Sequence, residues 1–194
     1  AGVYDLASES LKAKSHYKEA IETLKGLEPL PVEDIAELKN NLAFIYESEE
    51  NYDRAETCFL DALKSCYEEF GSNHKQTAAY YNNVGSFYFK LGHDEQAGKM
   101  HGEALKARVI LFGESQFESA QSYANLALVL VRSGKVVEGL DHFEKALCGF
   151  ESNLKVSGSD YQIVAANYRD VLESMGDERS VEALDQRLVK NSLV

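Results

Sequence analysis

Apolar residues recur along this chain at helical spacing, cut by short polar breaks. From Glu37 to Ser48, the side chains of Leu38, Leu42, Ile45 and Tyr46 mark one helical face, with Ala43 small between them. Glu49-Glu50-Asn51 interrupts the pattern, and Tyr52, Ala55, Phe59, Ala62 and Leu63 begin a second stripe. The same two stripes return twice. Val84, Phe87 and Tyr88 precede Leu91-Gly92-His93, followed by Ala97, His101, Ala104 and Leu105. Leu126, Val129 and Leu130 precede Ser133-Gly134-Lys135, followed by Leu140, Phe143, Ala146 and Leu147. The pattern predicts paired helices joined by tight turns.

The pairs keep a fixed period. Asn41, Asn83, Asn125 and Asn167 stand at steps of 42 residues (83 − 41, 125 − 83 and 167 − 125). Ala55, Ala97 and Gly139 keep the same step, as do Ala62, Ala104 and Ala146. A period of about 20–50 residues signals stacked units, each burying its apolar faces against its neighbours. Small residues at Ala43, Gly85 and Ala127 let paired helices approach closely. A Leu at Ala97 should overpack such a contact, at a cost of roughly 1–3 kcal/mol. Gly92, Gly134 and Gly176 fall just past the predicted first helices, where glycine ends a helix with positive φ. Glu50 holds that place in the earlier unit, so its turn is expected to close differently.

These residues resemble the tetratricopeptide repeat. Leu42-Ala43-x-x-Tyr46…Ala55-x-x-x-Phe59-x-x-Ala62 matches its motif, and so does Val84-Gly85-x-x-Tyr88…Ala97…Ala104. The common form has about 34 residues; the additional length lies at the end of the second helix, in Ser65 to His74. That extension, with (Leu/Phe)-Gly-x-x-His after it, resembles the repeats of kinesin light chain and its relatives, including nephrocystin. The resemblance implies an all-α fold, a right-handed superhelix of about five helix pairs. It implies one array with approximate units 1–34, 36–77, 78–119, 120–161 and 162–194. Residues 1–34 read as a repeat of ordinary length, with Ala20 matching Ala55 at a step of 35, and Pro29 and Pro31 as the break after it. The last unit is degenerate: Arg169 replaces the small residue and Leu188 replaces the alanine. It reads as a cap with a polar outer face from Asp177, Glu178, Arg179, Glu182, Asp185 and Arg187.

In such arrays the first helix of each pair lines a concave surface. The resemblance places Asn41, Asn83, Asn125 and Asn167 there, where an amide can bond the backbone of an extended peptide. The alternative is that each Asn braces the neighbouring helix pair. Residues on the same face would add specificity: Asn82, Ser86, Phe89 and Lys90 in one unit, Leu128, Val131 and Arg132 in the next. An apolar pocket beside two cations suits a hydrophobic side chain flanked by Asp or Glu. Lys90 and Arg132 also end their helices, where a cation favours the helix dipole. A clamp for chaperone C-termini would need a Lys one position before the groove Asn; Asp5, Asn40, Asn82, Ala124 and Ala166 stand there instead.

Composition narrows the partner class. The net charge is −12 over 194 residues, which argues against nucleic-acid backbones and anionic membranes. No apolar run reaches the ~18 residues of a membrane span. Cys58, Cys66 and Cys148 lack metal spacing and read as free, buried or neutral thiols in the cytoplasm or another reducing compartment. The chain opens without Met, which suggests a fragment of a longer protein. His101 takes the place of Phe59 and Phe143 and reads as a core residue, while His74 braces a turn. No phosphate loop, dinucleotide fingerprint or serine elbow is present, so neither an enzyme, a cofactor nor a metal is expected. Asn191-Ser192-Leu193-Val194 resembles a terminus read by PDZ domains. The expected function is a protein-binding adaptor that holds an extended segment in its groove. The rival is a scaffold that docks folded proteins, or its own copies, through its outer face or ends.

Overall fold

The computed structural model describes residues 2–152 and 154–191. Among them the chain forms nine helices: α1 (Gly2–Lys25), α2 (Val32–Ser48), α3 (Tyr52–Phe70), α4 (Lys75–Lys90), α5 (Asp94–Phe112), α6 (Phe117–Arg132), α7 (Val136–Glu151), α8 (Leu154–Ser174) and α9 (Glu178–Asn191). Helices α2/α3, α4/α5 and α6/α7 pair tightly, and each pair stacks on the next. The all-helical right-handed superhelix matches the expected fold. The alanines at the helix crossings are fully buried, including Ala43, Ala55, Ala62, Ala97, Ala104, Ala127 and Ala146. Gly139 makes the closest approach: a Cβ there would lie 2.6 Å from Val131 Cγ2 and 3.1 Å from the Ala127 carbonyl.

The turn at Glu50 closes the same way as its glycine counterparts, against expectation. Glu50 has φ 58°, beside 78° at Gly92, 80° at Gly134 and 71° at Gly176. The backbone bonds coincide as well. Glu50 N donates to Glu47 O at 3.0 Å and Asn51 N to Tyr46 O at 2.9 Å; Gly92 N donates to Phe89 O at 3.0 Å and His93 N to Tyr88 O at 2.9 Å. The helix end needs these bonds for its last carbonyls. That need outweighs the steric cost of a left-handed Glu.

Residues 1–34 hold one described helix rather than a pair. Contacts also correct its register. Lys14 Nζ stands 5.7 Å from the centre of the Tyr46 ring, where one unit later Glu56 accepts from Tyr88 Oη at 2.7 Å. Both partners shift by 42 (56 − 14 and 88 − 46). Ala13, Tyr17, Ala20 and Ile21 therefore stand for Ala55, Phe59, Ala62 and Leu63, and Ile21 is buried like Leu63. α1 therefore keeps the register of the second helices, α3 and α5.

At the other end, Arg187 does not join the outer polar face. Its Nε donates to Glu151 Oε1 at 2.6 Å and its Nη1 to Glu144 Oε2 at 2.7 Å, tying α9 to α7. Arg169 stays exposed and pairs with Glu173 and Asp185. A large residue at that crossing thus turns outward instead of overpacking it. The PDZ-like pattern at Ser192 to Val194 lies outside the described residues.

Candidate functional site

Helices α2, α4, α6 and α8 lie side by side, and their linking bonds follow one rule. Asn83 Nδ2 donates to Asn40 Oδ1 at 2.9 Å, and Asn125 Nδ2 donates to Asn82 Oδ1 at 2.8 Å. Lys90 Nζ donates to Glu47 Oε1 at 2.9 Å, and Arg132 Nη2 donates to the Phe89 carbonyl at 2.6 Å. Each link spans 43 residues, one period plus one position (83 − 40, 125 − 82, 90 − 47 and 132 − 89). The repeat sets the period, and the stagger of adjacent helices adds the one. At Asn167 the rule meets Ala124, which has no amide, so the ladder stops there.

The four groove asparagines are all half-buried. Asn83 and Asn125 thus brace the preceding helix. An Asn amide carries two N–H donors and a carbonyl. Bracing uses one donor and fixes the plane of the rest, leaving a second N–H and an acceptor on each.

The two cations do not stand free. Lys90 pairs with Glu47, and that hydrogen bond holds its ammonium above the usual lysine range. Arg132 lays its guanidinium over Phe89, 3.4 Å from the ring centre. Its Nε also donates to Asp94 Oδ1 at 2.7 Å. The charge either residue could offer an acidic segment is already largely answered within the protein. Phe89 is covered by the guanidinium, and Val131 packs into the space at Gly139. Ser86 is exposed and Leu128 half-buried.

Among the described residues, two large apolar side chains remain open on this surface, Phe44 at 45% and Ile163 at 60% exposure. Phe44 sits three places after its Asn, and its ring meets Phe59 edge-on at 5.0 Å. Ile163 sits four places before its Asn, in a row with Glu37, Ala79 and Gln121 that the sequence reading passed over. At 100° per residue, four places back and three places forward fall about 20° apart on the helix. The periodicity could have found that row.

The other sequence candidates lie away from this face. His101 is 2% exposed, its ring lying against Gly85, where a Cβ would come within 2.8 Å. Burial, with Arg108 nearby, pushes its imidazole down to about 4. His74 caps α4, its Nδ1 accepting from Gln76 N at 3.4 Å, and stacks on Phe70. All three cysteines are free; Cys66 is buried, its thiol pushed up to about 11, whereas Cys148 is exposed. Among the described residues, no cluster of ligands suits a metal and no helix is long and apolar enough to cross a membrane.

Stacked helix pairs joined by side-chain bonds at a fixed step define a helical-repeat solenoid, a class that presents one extended surface. Residues 34–108 match the family model described as the tetratricopeptide repeat. No curated protein matches it. Among solved structures it is similar to BtubC (BKLC) from P. vanneervenii, at TM-score 0.87 and 23% identity over 97% of this chain and 75% of the other. It is also similar to a Podosopora anserina protein of nearly identical, kinesin-light-chain TPR-like repeats, at TM-score 0.75 and 13% identity over 97% and 90%. A Rap protein complexed with competence and sporulation factor matches at TM-score 0.71 and 19% identity, over 99% of this chain and 52% of that one. These likenesses establish the fold.

Proposed function

We propose that the chain is a non-catalytic adaptor that holds an extended segment of a partner protein across α2, α4, α6 and α8. One observation carries the reading: the braced asparagines leave a row of fixed, half-exposed amides beside open apolar side chains. Fixed amides can meet a peptide backbone without first losing side-chain freedom, which lowers the cost of binding. A structural neighbour complexed with competence and sporulation factor shows that a related fold can hold a ligand. Asn41, Asn83, Asn125 and Asn167 contact the backbone, while Ser86 and Leu128 border the bound side chains. Lys90 and Arg132 contribute little free charge, because Glu47 and Asp94 hold them. The reduced thiols fit a reducing compartment such as the cytoplasm.

A second reading has its own observation. A shallow cleft of about 310 Å³ lies between α3 and α4, lined by Leu60, Leu63, Lys64, Tyr67 and Tyr81 among others. Ile110 and Leu111, near the end of the long helix α5, are exposed as well. That face would dock a folded partner.

The test is affinity capture with wild type, Asn83→Ala/Asn125→Ala and Ser86→Trp, each checked for folding by circular dichroism. The exposed Ser86 makes no bracing bond, so Trp there fills the surface without loosening the stack. Loss of a partner by both variants places binding on this face. Retention by both moves it to the α3–α4 cleft, where Tyr67→Ala should abolish it. Loss by the double variant alone leaves the asparagines with an architectural role.

A further inference from the structure

We infer that the segment this surface takes is basic: an extended stretch with Lys or Arg near two apolar side chains spaced about eight residues apart. The inference rests on the groove reading above and names its occupant. Charge comes first. On the inner faces of the four helices, Lys90 and Arg132 are both held in ion pairs. Arg169, near the α8 end, is held by Glu173 and Asp185. Glu33, Glu37 and Asp170 are exposed and form no ion pair. Against them stands Lys75 at the start of α4. Among the described residues the surface is therefore acidic where it is uncommitted, within a chain of net charge −12. Such a field attracts cationic segments and repels acidic ones.

Shape comes second. Phe44 on α2 and Ile163 on α8 are the open apolar groups, one at each end of the face. Glu37 and Glu33 stand about two and three helical turns before the first, and Asp170 about two turns beyond the second. In the middle Ala79, Ser86 and Gln121 leave room for a backbone beside the half-buried Leu128. From α2 to α8 there are three helix-to-helix steps of about 8–10 Å each. An extended chain rises roughly 3.3 Å per residue. Two anchors over Phe44 and Ile163 are thus about eight residues apart, with the asparagine amides between them.

The test is selection from a displayed library of random dodecamers spread evenly over net charge, using wild type, Ser86→Trp and Glu33→Lys/Glu37→Lys. Each protein is first checked by circular dichroism and thermal melting. Wild type should enrich basic dodecamers with two spaced apolar residues. Their affinity should fall with salt, and roughly tenfold in the charge-reversed variant. Ser86→Trp should lose them altogether. Enrichment of acidic or neutral dodecamers, lost with Ser86→Trp, would overturn the basic class while keeping the groove. Dodecamers bound equally by all three proteins, or by none, would overturn both this inference and the groove reading beneath it.

Discussion

Helix α5 and its two counterparts, α3 and α7, share a register but not a core. All three keep the small residue and the alanine at the crossings: Ala55, Ala97 and Gly139, then Ala62, Ala104 and Ala146. Between them α3 buries Phe59 and α7 buries Phe143, whereas α5 buries His101. Further along, Cys66 and Phe150 are matched by Arg108 (108 − 66 and 150 − 108 are both 42). Arg108 is 8% exposed and donates to the Glu118 carbonyl at 2.9 Å and to Ser122 Oγ at 3.0 Å. His101 Nδ1 is buried without a hydrogen bond. The hydrophobic core parts into two clusters, one around Phe59 and Phe87, the other around Phe143 and Tyr168. Gly85 takes part in the exchange, standing where the other units have Ala43 and Ala127 and giving the imidazole its space. A repeat sequence can thus hold its geometry through small residues while the energy of each layer differs.

The largest effect that would sharpen this contrast lies in α7. Phe143→Ala should cost about 3–5 kcal/mol, since the ring is fully buried. His101→Ala should cost well under half as much, because losing the ring also removes an unpaired buried nitrogen. Urea unfolding of the two variants decides the matter, and equal losses would mean that α5 is no weaker a layer than α7.

Acid should widen the contrast further. His101 is held down to about 4 from its ordinary 6.5. Between those values the unfolded chain takes up a proton that the folded chain refuses. Stability from this group is therefore complete above about pH 6.5 and is lost as pH falls toward 4, by about 3 kcal/mol in all. His101→Phe restores the residue of the neighbouring layers and removes that loss. The gap in urea midpoint between variant and wild type should grow steadily from pH 7 to pH 4. A constant gap would show that the imidazole stays neutral in the unfolded chain too, or is already charged in the fold.

Arg108→Met is a smaller probe of the same layer. It leaves the Glu118 carbonyl and the Ser122 hydroxyl without their donor, at a cost of about 1–3 kcal/mol. Adding Ser122→Ala should recover part of this, since the second polar group is then gone. Additive losses in thermal melts would mean that the guanidinium and the hydroxyl are not coupled.

Much of this architecture was legible because its crossings repeat. Alanine, glycine and Asn41, Asn83, Asn125 and Asn167 each return on one step, and no other element competes with that signal. What escaped was pairwise. Lys90 and Arg132 read as free cations because Glu47 lies 43 and Asp94 lies 38 residues before them (90 − 47 and 132 − 94). Helical periodicity places a residue on a face but says nothing of what the next helix presents. Bracing stood as the alternative role of the asparagines, but the partners Asn40 and Asn82 stayed hidden for the same reason. The register of α1 failed differently: Ala13 and Ala20 are seven apart, so steps of 42 and 35 both set an alanine against Ala55. The contact of Lys14 with Tyr46 and the burial of Ile21 separate the two. Phe44 was visible as an inner-face residue, whereas Ile163 required the row four places before the asparagines.

The turns offer the smallest and cleanest comparison, because one of four equivalent positions breaks the glycine rule. Glu50 sits at φ 58° with the same backbone bonds that Gly92 makes at 78°. A left-handed conformation costs a residue with a Cβ roughly 1–2 kcal/mol, whereas glycine adopts it freely. Glycine also gains freedom in the unfolded chain, which returns part of the advantage. The Glu50 side chain forms no ion pair, so little is lost with it. Glu50→Gly should therefore stabilise the protein by about 0.5–1 kcal/mol, while Gly92→Glu should destabilise it by a similar amount. Thermal melts of the two single variants and of the swap read this directly. The swapped protein should melt close to wild type if the turns are equivalent. A stabilised Glu50→Gly with an unaffected Gly92→Glu would mean that the two turns, alike in their bonds, differ in how tightly the helices behind them hold the chain.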